Sequence, residues 1–380
     1  MCSVLSVKAK LALSANDLAR LLLTIERYNQ ACNFIAQYGF ENSIRGKYDL
    51  HHALYHKVRE QFKLSSQMAV RAFARTSSAM KVNRSVCPHF SPHASIDYDQ
   101  RILSLNKRTG DISILALNGR IKCPIQVGPA GKDRLAYGQR KGGAKLQYRN
   151  GALFLCFAVE IADAPLQVSS GVLGVDMGEV NLAVDSDGHI YSGLHVRNAQ
   201  KRLLRLKSAL QSTGTHNAKR HLRKLKSKEQ RFRTDTNHVV SKRLVANAFD
   251  TRRAIALEDL YGIREACNRK TVNKHQRRYL NSWAFYQLGF FIRYKAQLKG
   301  VTVQLIDPAY TSQVCPKCGH VDSQNRTSQS KFECVECGLA GLADHVAAIN
   351  IAARAVVTQP IAGMIEPNTS ILSIQASPGR

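Results

Sequence analysis

The chain has 380 residues, 44% of them hydrophobic, enough for two or three domains with buried cores. Its 55 Lys and Arg against 27 Asp and Glu leave a formal charge of +28, which favours a polyanionic partner, nucleic acid first and a membrane surface second. No apolar run approaches the roughly 18 residues of a membrane span, and the start MCSVLSVKAKLALSANDLAR lacks a continuous signal-peptide core, so a cytoplasmic, nucleoid-associated protein with no membrane partner is expected.

Residues 4–13 alternate weakly and suggest a strand. Residues 15–82 hold few Gly or Pro and space their apolar residues for helix. Within them, a Ser start signal precedes Gln67, Arg71 and Arg75, which sit one turn apart on one face. That stripe reads equally as a nucleic-acid contact and as a solvated helix face. Tyr28, Phe34, Tyr38, Tyr55 and Phe62 are expected in the core. From about 86 to 168 the texture becomes short β-like runs with Thr-Gly-Asp and Arg-Asn-Gly turns, which predicts a small antiparallel barrel or sandwich. The basic, glycine-rich segment beginning at Gly128 reads as a loop, either against phosphates or in solvent.

At about 169 a third texture begins. A buried run reaches Asp176, and a second run, NLAVD, turns through Ser186, Asp187 and Gly188 into HIYSG. The helical stretch that follows carries twelve Lys or Arg between 201 and 233 against one acid, Glu229, with a Gly break near 214. So one-sided a face repels itself unless an anion neutralises it. Lys201, Arg202, Arg205, Arg220, Arg223 and Lys224 are therefore candidate nucleic-acid contacts. A further helix is expected at about 236–250, then a strand ending at Glu258, then a long apolar helix with the only Trp, Trp283, ended by Gly300, then the strand VTVQLID. The tail after about 359 is expected to be poorly ordered.

Four of the ten cysteines, Cys315, Cys318, Cys334 and Cys337, follow C-x2-C-x15-C-x2-C, and each pair is followed by a glycine. This spacing suits a structural zinc ion held by four thiolates, with two disulfides as the competing reading. The other six (Cys2, Cys32, Cys87, Cys123, Cys156, Cys267) are scattered and read as small hydrophobes without a functional role.

Three acids occupy comparable places. Asp176 and Glu258 each end a buried strand, and Asp344 opens the last helix. Carboxylates so placed can converge on two Mg²⁺ (or Mn²⁺) ions about 4 Å apart that clamp a phosphodiester. Each also has an ordinary reading: Asp176 before a turn, Glu258 as a strand-end charge, Asp344 as a helix cap. The element order, three strands, helix, strand, helix, strand, helix, is that of a ribonuclease H-like α/β fold, and it favours the joint reading.

The segments GVDMGEVNLAV, IALEDL, YLNSWAFYQLGFFIRYKAQLKGVTVQLIDPAYTSQVCPKCG and FECVECGLAGLADHVAAINI resemble, in this order, the TnpB (OrfB-type) proteins of transposable insertion sequences and the related type V CRISPR effector nucleases. The resemblance covers about 170–355, nearly half of the chain. It implies a RuvC-like nuclease domain over 169–310 and 339–358, interrupted at 311–338 by a zinc ribbon that binds target nucleic acid. By layout alone it implies a β-rich wedge domain over 1–13 and 86–168, itself interrupted by a helical recognition domain over 14–85. The implied protein is an RNA-guided DNA endonuclease with guide RNA and target double-stranded DNA as partners, monomeric, with Asp176, Glu258 and Asp344 as its metal-binding acids. A guided repressor, a compact type V effector and a DNA-joining transposase that serves recombination are the alternatives. One position departs from the family: Val346 stands where Asn is usual, with an expected loss of hydrogen bonding near the acids, while the later Asn350 is kept.

Overall fold

The computed structural model describes residues 2–106, 110–178, 180–260 and 285–357. Trp283, the tail from 359 and part of the Thr-Gly-Asp turn lie outside them. The chain divides into two compact units, Met1–Ala162 and Asp163–Arg380.

In the first unit, strand β1 (Cys2–Leu11) buries Val7, Ala9 and Leu11 and turns Lys8 and Lys10 outward, as the two-residue side-chain period requires. The helical stretch resolves into α1 (Ala15–Glu41), α2 (Lys47–Phe62) and α3 (Ser66–Val82). Ser14 and Ser65 cap the first and third, accepting the Asp17 and Met68 amides at 3.1 and 3.3 Å. Lys63 ends α2 in the left-handed region at φ +54°.

Strands β2 (Ile96–Tyr98), β3 (Leu103–Leu105), β4 (Asp111–Ala116), β5 (Gly119–Gln126), β6 (Gln139–Arg149) and β7 (Ala152–Ala162) join β1 in a seven-stranded antiparallel sheet. Its order is β2-β6-β7-β1-β5-β4-β3. The Tyr98 hydroxyl on β2 donates to the Leu115 carbonyl on β4 at 2.8 Å, so the sheet curls until strands near its two edges meet. The expected barrel is therefore nearly closed. Asn150 and Gly151, at φ +51° and +79°, make the tight turn between β6 and β7 that their sequence signals. The segment at Gly128 is not a loop. Pro129 starts α4 (Pro129–Tyr137), whose Arg134 reaches the Ser6 carbonyl of β1 at 3.0 Å. Helices and sheet share one core, with Tyr28, Phe73 and Met80 packed in the same cluster as Tyr98, Leu146 and Val159.

In the second unit, β8 (Gly171–Asp176), β9 (Asn181–Asp185) and β10 (Ile190–Ser192) form an antiparallel meander. Helix α5 (Leu194–Thr213) ends at Gly214, φ +66°, and α6 (His216–Asp250) runs back along it. The separate helix expected at 236–250 is the second half of α6, because no Gly or Pro interrupts its 35 residues. Strand β11 (Arg253–Glu258) then pairs parallel to β8, and after α7 (Phe285–Lys299) strand β12 (Val303–Ile306) pairs parallel to β11. The sheet order is β10-β9-β8-β11-β12. A short hairpin, β13 (Lys331–Glu333) and β14 (Ala340–Leu342), leads directly into α8 (Ala343–Val357), which packs on β8. No described helix is long and apolar enough to cross a membrane.

The contact between α8 and β8 is unusually close. A Cβ added to Gly174 would lie 2.0 Å from the Ala348 carbonyl oxygen and 2.6 Å from the Ala352 amide nitrogen. Neither is a flexible side-chain tip, so only glycine fits. Gly174→Ala is expected to lower unfolding free energy by about 3 kcal/mol, read from urea denaturation midpoints. A variant within about 0.5 kcal/mol of the parent would show that helix and strand can part without cost.

Candidate active site and cysteine cluster

Asp176 closes β8, and its neighbour Glu258 closes β11, one residue beyond the Leu257–Val175 pair. Asp344 is the second residue of α8 rather than the residue before it, and Asn181 of β9 donates to its Oδ2 at 2.9 Å. The helix-cap reading of Asp344 thus gives way to a carboxylate held by a neighbouring strand. The three acids come together electrostatically. Burial first, then the negative charges of Glu258 and Asp344, push the Asp176 carboxyl up to about 7, against the pull of Arg326 and the Met177 amide. Burial also raises Glu258, countered by the Thr311 hydroxyl and by Arg354 and Arg326.

Several side chains around the acids, Asn350 apart, had no distinguishing sequence signal. Arg326, from the segment between the cysteine pairs, lies 3.9 Å from Asp344 and acts on the other two acids as well. The Thr311 hydroxyl donates to Glu258 Oε1 at 2.5 Å. Thr311 is itself held by Asn350 of α8, whose amide donates to the Thr311 and Val314 carbonyls at 2.8 and 2.7 Å. Arg354, one turn further on, reaches the Asp307 and Ala309 carbonyls at 2.7 Å each. Helix α8 therefore clamps the segment that joins β12 to Cys315.

The four cysteine sulfurs lie within 4.8 Å of one another. The Cys315–Cys337 and Cys318–Cys334 separations are both 3.6 Å. That is far beyond a disulfide bond of about 2.05 Å and close to the edge, about 3.8 Å, of a tetrahedron with metal–sulfur bonds of about 2.3 Å. The donor set and spacing fit one zinc ion. Gly319 and Gly338, at φ +74° and +66°, return their amides to the Cys315 and Cys334 carbonyls, forming the tight turns that present each pair. Burial pushes the Cys315 thiol up, but the Cys318 and Lys317 amides aimed at its sulfur bring it down to about 7, nearer the thiolate a metal binds. The fully buried Asn325 braces the two turns, donating to the Gln313 carbonyl at 2.8 Å and accepting the Val335 amide at 2.9 Å.

Val346 does not face the acids. It is buried among Cys315, Phe332, Cys334 and Ala343, so the departure at this position fills an apolar seam between ribbon and helix. The expected loss of hydrogen bonding near the acids is not what this side chain produces.

A second group of possible ligands, Asp185, Asp187 and His189, was not anticipated. Its bonds explain it as a turn lock: Asp185 Oδ1 accepts the Asp187 and His189 amides at 3.1 and 2.9 Å, and Arg253 grips Asp187 with two nitrogens at 2.7 and 2.5 Å. The three acids Asp176, Glu258 and Asp344 do not form a group whose ligand atoms all lie within 4.8 Å of one another.

The proposed nucleic-acid contacts divide. Lys201, Arg202, Arg205, Arg220, Arg223 and Lys224 are exposed on α5 and α6, and none has an ion-pair partner among the described residues. Glu229, the one acid of the stretch, pairs with Lys207 instead. Gln67, Arg71 and Arg75 are half-buried. Gln67 bonds Asp99 and Arg101, Arg75 lies over the Phe90 ring at 4.9 Å, and the Arg71 Nε is buried without a partner.

Comparison with known proteins places this arrangement. A family model described as "Probable transposase" (OrfB of IS605) matches residues 156–261, and one described as Cas12f1-like, TNB domain, matches 285–351. A TnpB-like protein of Methanocaldococcus jannaschii is 30% identical over 213 residues, 53% of this chain and 74% of that one. A CRISPR-associated endodeoxyribonuclease Cas12f1 of Sulfoacidibacillus thermotolerans is 40% identical over 132 residues, 34% of this chain and only 29% of that one. The fold resembles the Cas12f1 of a cryo-EM complex with sgRNA and target DNA, with a TM-score of 0.60, 12% identity and coverage of 93% and 98% of the two chains. The class is that of the compact proteins related to type V effectors. Within it, the chain belongs to the TnpB family.

A pH consequence follows from the two raised carboxyls. Between their unfolded and folded pKa values the folded chain holds protons that the unfolded chain has released. The resulting stabilisation is fully present below about pH 4 and is lost as pH rises toward about 7, so metal-free protein should weaken over that window. Asp176→Asn should abolish most of this slope. Its stability relative to the parent should rise by on the order of 3 kcal/mol from pH 4 to pH 7.5 in urea titrations. A difference that stays flat with pH would remove the electrostatic account of the acid cluster.

Proposed function

We propose that the chain is an RNA-guided DNA endonuclease whose RuvC-like centre is Asp176, Glu258 and Asp344. The observation that carries this reading is the convergence of three acids, two from parallel neighbouring strands and one from a helix, with Arg326 acting on all three. Family membership, and a fold shared with a protein determined with guide RNA and target DNA, support it.

The donor set is all carboxylate oxygen, the type that Mg²⁺ or Mn²⁺ prefers over zinc. Divalent cations bound there supply charge against the scissile phosphate and lower the pKa of an attacking water. The chain's own residues do the positioning. Asn181 occupies Asp344 Oδ2 and leaves Oδ1 toward Arg326. Arg326 offers a planar guanidinium suited to a phosphate oxygen pair. Thr311 fixes one Glu258 oxygen and leaves the other open. Zinc in the cysteine cluster does no cutting; it holds the ribbon that carries Arg326. The exposed cations of α5 and α6 hold backbone phosphates of the RNA or its heteroduplex, read by shape rather than sequence. Gln67, Arg71 and Arg75 keep the role of DNA contacts in this reading, with Arg71 the member that retains an unpaired donor.

Two tests follow. Asp176→Ala should abolish guided cleavage in Mg²⁺ while RNA affinity stays within about twofold, whereas Thr311→Val should slow cleavage about 10–100-fold and Thr311→Ser restore it. Cleavage retained by Asp176→Ala sinks the assignment. For the ribbon, chelation or Cys337→Ser should accelerate hydrogen exchange across 313–345, because Asn325 braces the cysteine turns, Val346 packs with Cys315 and Cys334, and Asn350 holds the Val314 carbonyl beside Cys315. Unchanged exchange there would mean that metal and acids are uncoupled.

A further inference from the structure

A cavity of about 710 Å³ opens on the α6 side of the β9–β10 hairpin, and none of the three acids lines it. One wall is a single face of α6, with Phe232, Asp235, Arg243 and Asn247 at successive helical spacings; the other is β10 with Tyr191, completed by His195 at the start of α5. The volume is that of a small-molecule site. Its floor is prebuilt. The Tyr191 hydroxyl and the Asn247 amide both reach the fully buried Asp185, the latter at 3.5 Å, and the backbone bonds of the turn lock hold that carboxylate. Little ordering is left for a ligand to impose.

The lining chemistry is specific. Phe232 and His195 meet edge to face with centroids 6.1 Å apart, leaving aromatic surface for a stacked planar ligand. Asp235 and Arg243 are exposed and oppositely charged, but two helical turns separate them by about 12 Å, too far to neutralise each other. Neither has an ion-pair partner among the described residues. The chain's net charge of +28 attracts phosphate in general, but at its own end of the cavity the Asp235 carboxylate disfavours one. It calls for a ligand that brings N–H donors and carries its negative charge about 12 Å away, where Arg243 stands. A guanine nucleotide meets both demands: N1–H and the N2 amine offer two parallel donors to one carboxylate. Cytosine and adenine each offer one exocyclic amine, and uracil a single ring N–H.

We infer that this cavity binds an unpaired guanine nucleotide of an RNA strand, with Asp235 reading the base edge, Phe232 and His195 stacking it and Arg243 taking its phosphate. RNA is the occupant proposed because sequence-specific recognition of unpaired, splayed bases is the usual mode for folded RNA; the DNA strand displaced by guide pairing is the alternative that the dGMP arm tests. The inference rests on the RNA-binding part of the reading above and is independent of cleavage.

The test uses the full chain and calorimetric titration with GMP, AMP, CMP, UMP and dGMP, alongside a 12-nucleotide single-stranded RNA containing one guanine. GMP should bind at least tenfold tighter than the other three ribonucleotides. Asp235→Asn should remove that preference, and Phe232→Leu should weaken all nucleotides together. Equal binding of the four ribonucleotides, or an Asp235→Asn variant that still prefers GMP, overturns the proposal. If dGMP binds as tightly as GMP, the assignment to RNA is wrong. Binding of the RNA oligonucleotide without any binding of GMP would overturn the pocket and leave RNA binding standing; failure of both would bring down the RNA reading itself.

Discussion

The second unit is organised by the place where α8 lies so close to β8 that its backbone occupies the space of a missing side chain at Gly174. Gly174 and Asp176 are two residues apart on a strand and so share a face. Asp344 and Ala348 are four apart on a helix and so share a side. Pressing Ala348 onto Gly174 therefore sets Asp344 opposite Asp176. The small residues of α8, Ala347, Ala348 and Ala355, are what let the two backbones approach. The parallel pairing of β11 with β8 then brings Glu258 to the same end of the sheet. A steric condition at an apolar contact thus determines where three charges meet.

Holding those charges together costs free energy, and the surrounding bonds are arranged against that cost. Each acid has a neutral or cationic neighbour: Met177 and Arg326 for Asp176, Thr311 for Glu258, Asn181 for Asp344. Two of these neighbours are tied elsewhere in turn. Thr311 hangs from Asn350, and Arg326 follows Asn325, which braces both cysteine turns. The acid cluster and the cysteine cluster are therefore ends of one bonded network rather than separate sites.

Much of this was legible in the sequence where chemistry forces a spacing. Two cysteine pairs with following glycines, and acids at the ends of apolar strand runs, leave patterns that survive without knowledge of the fold. Thr311 and Arg326 left none, because each acts through a residue distant in sequence and is of an ordinary type for its position; Asn350 was marked by the family resemblance, but the carbonyls it holds were not legible. Val346 misled for a related reason: its place near Asp344 in sequence suggested the acids, but the helical turn sends it toward the ribbon. The α4 segment misled differently. Its glycines read as loop, whereas Gly128 and Gly138 flank a helix that Pro129 begins. Helix α6 continues through the polar stretch near 233–236, where the sequence suggested a new helix starting at about 236, because no Gly or Pro stops it there.

The direct passage of β14 into α8 carries one more consequence. The chain between the last cysteine and Asp344 contains no slack: Gly338 is locked in its turn, Ala340–Leu342 is paired, and the helix starts at Ala343. On the opposite strand, the Ser330 carbonyl just before β13 accepts the Ala343 amide at 3.1 Å, so this end of the hairpin is held from both sides. The end of the hairpin that leads to Asp344 therefore acts as a fixed axle. Homologues would be bound to conserve the length of chain between the last cysteine and the third acid.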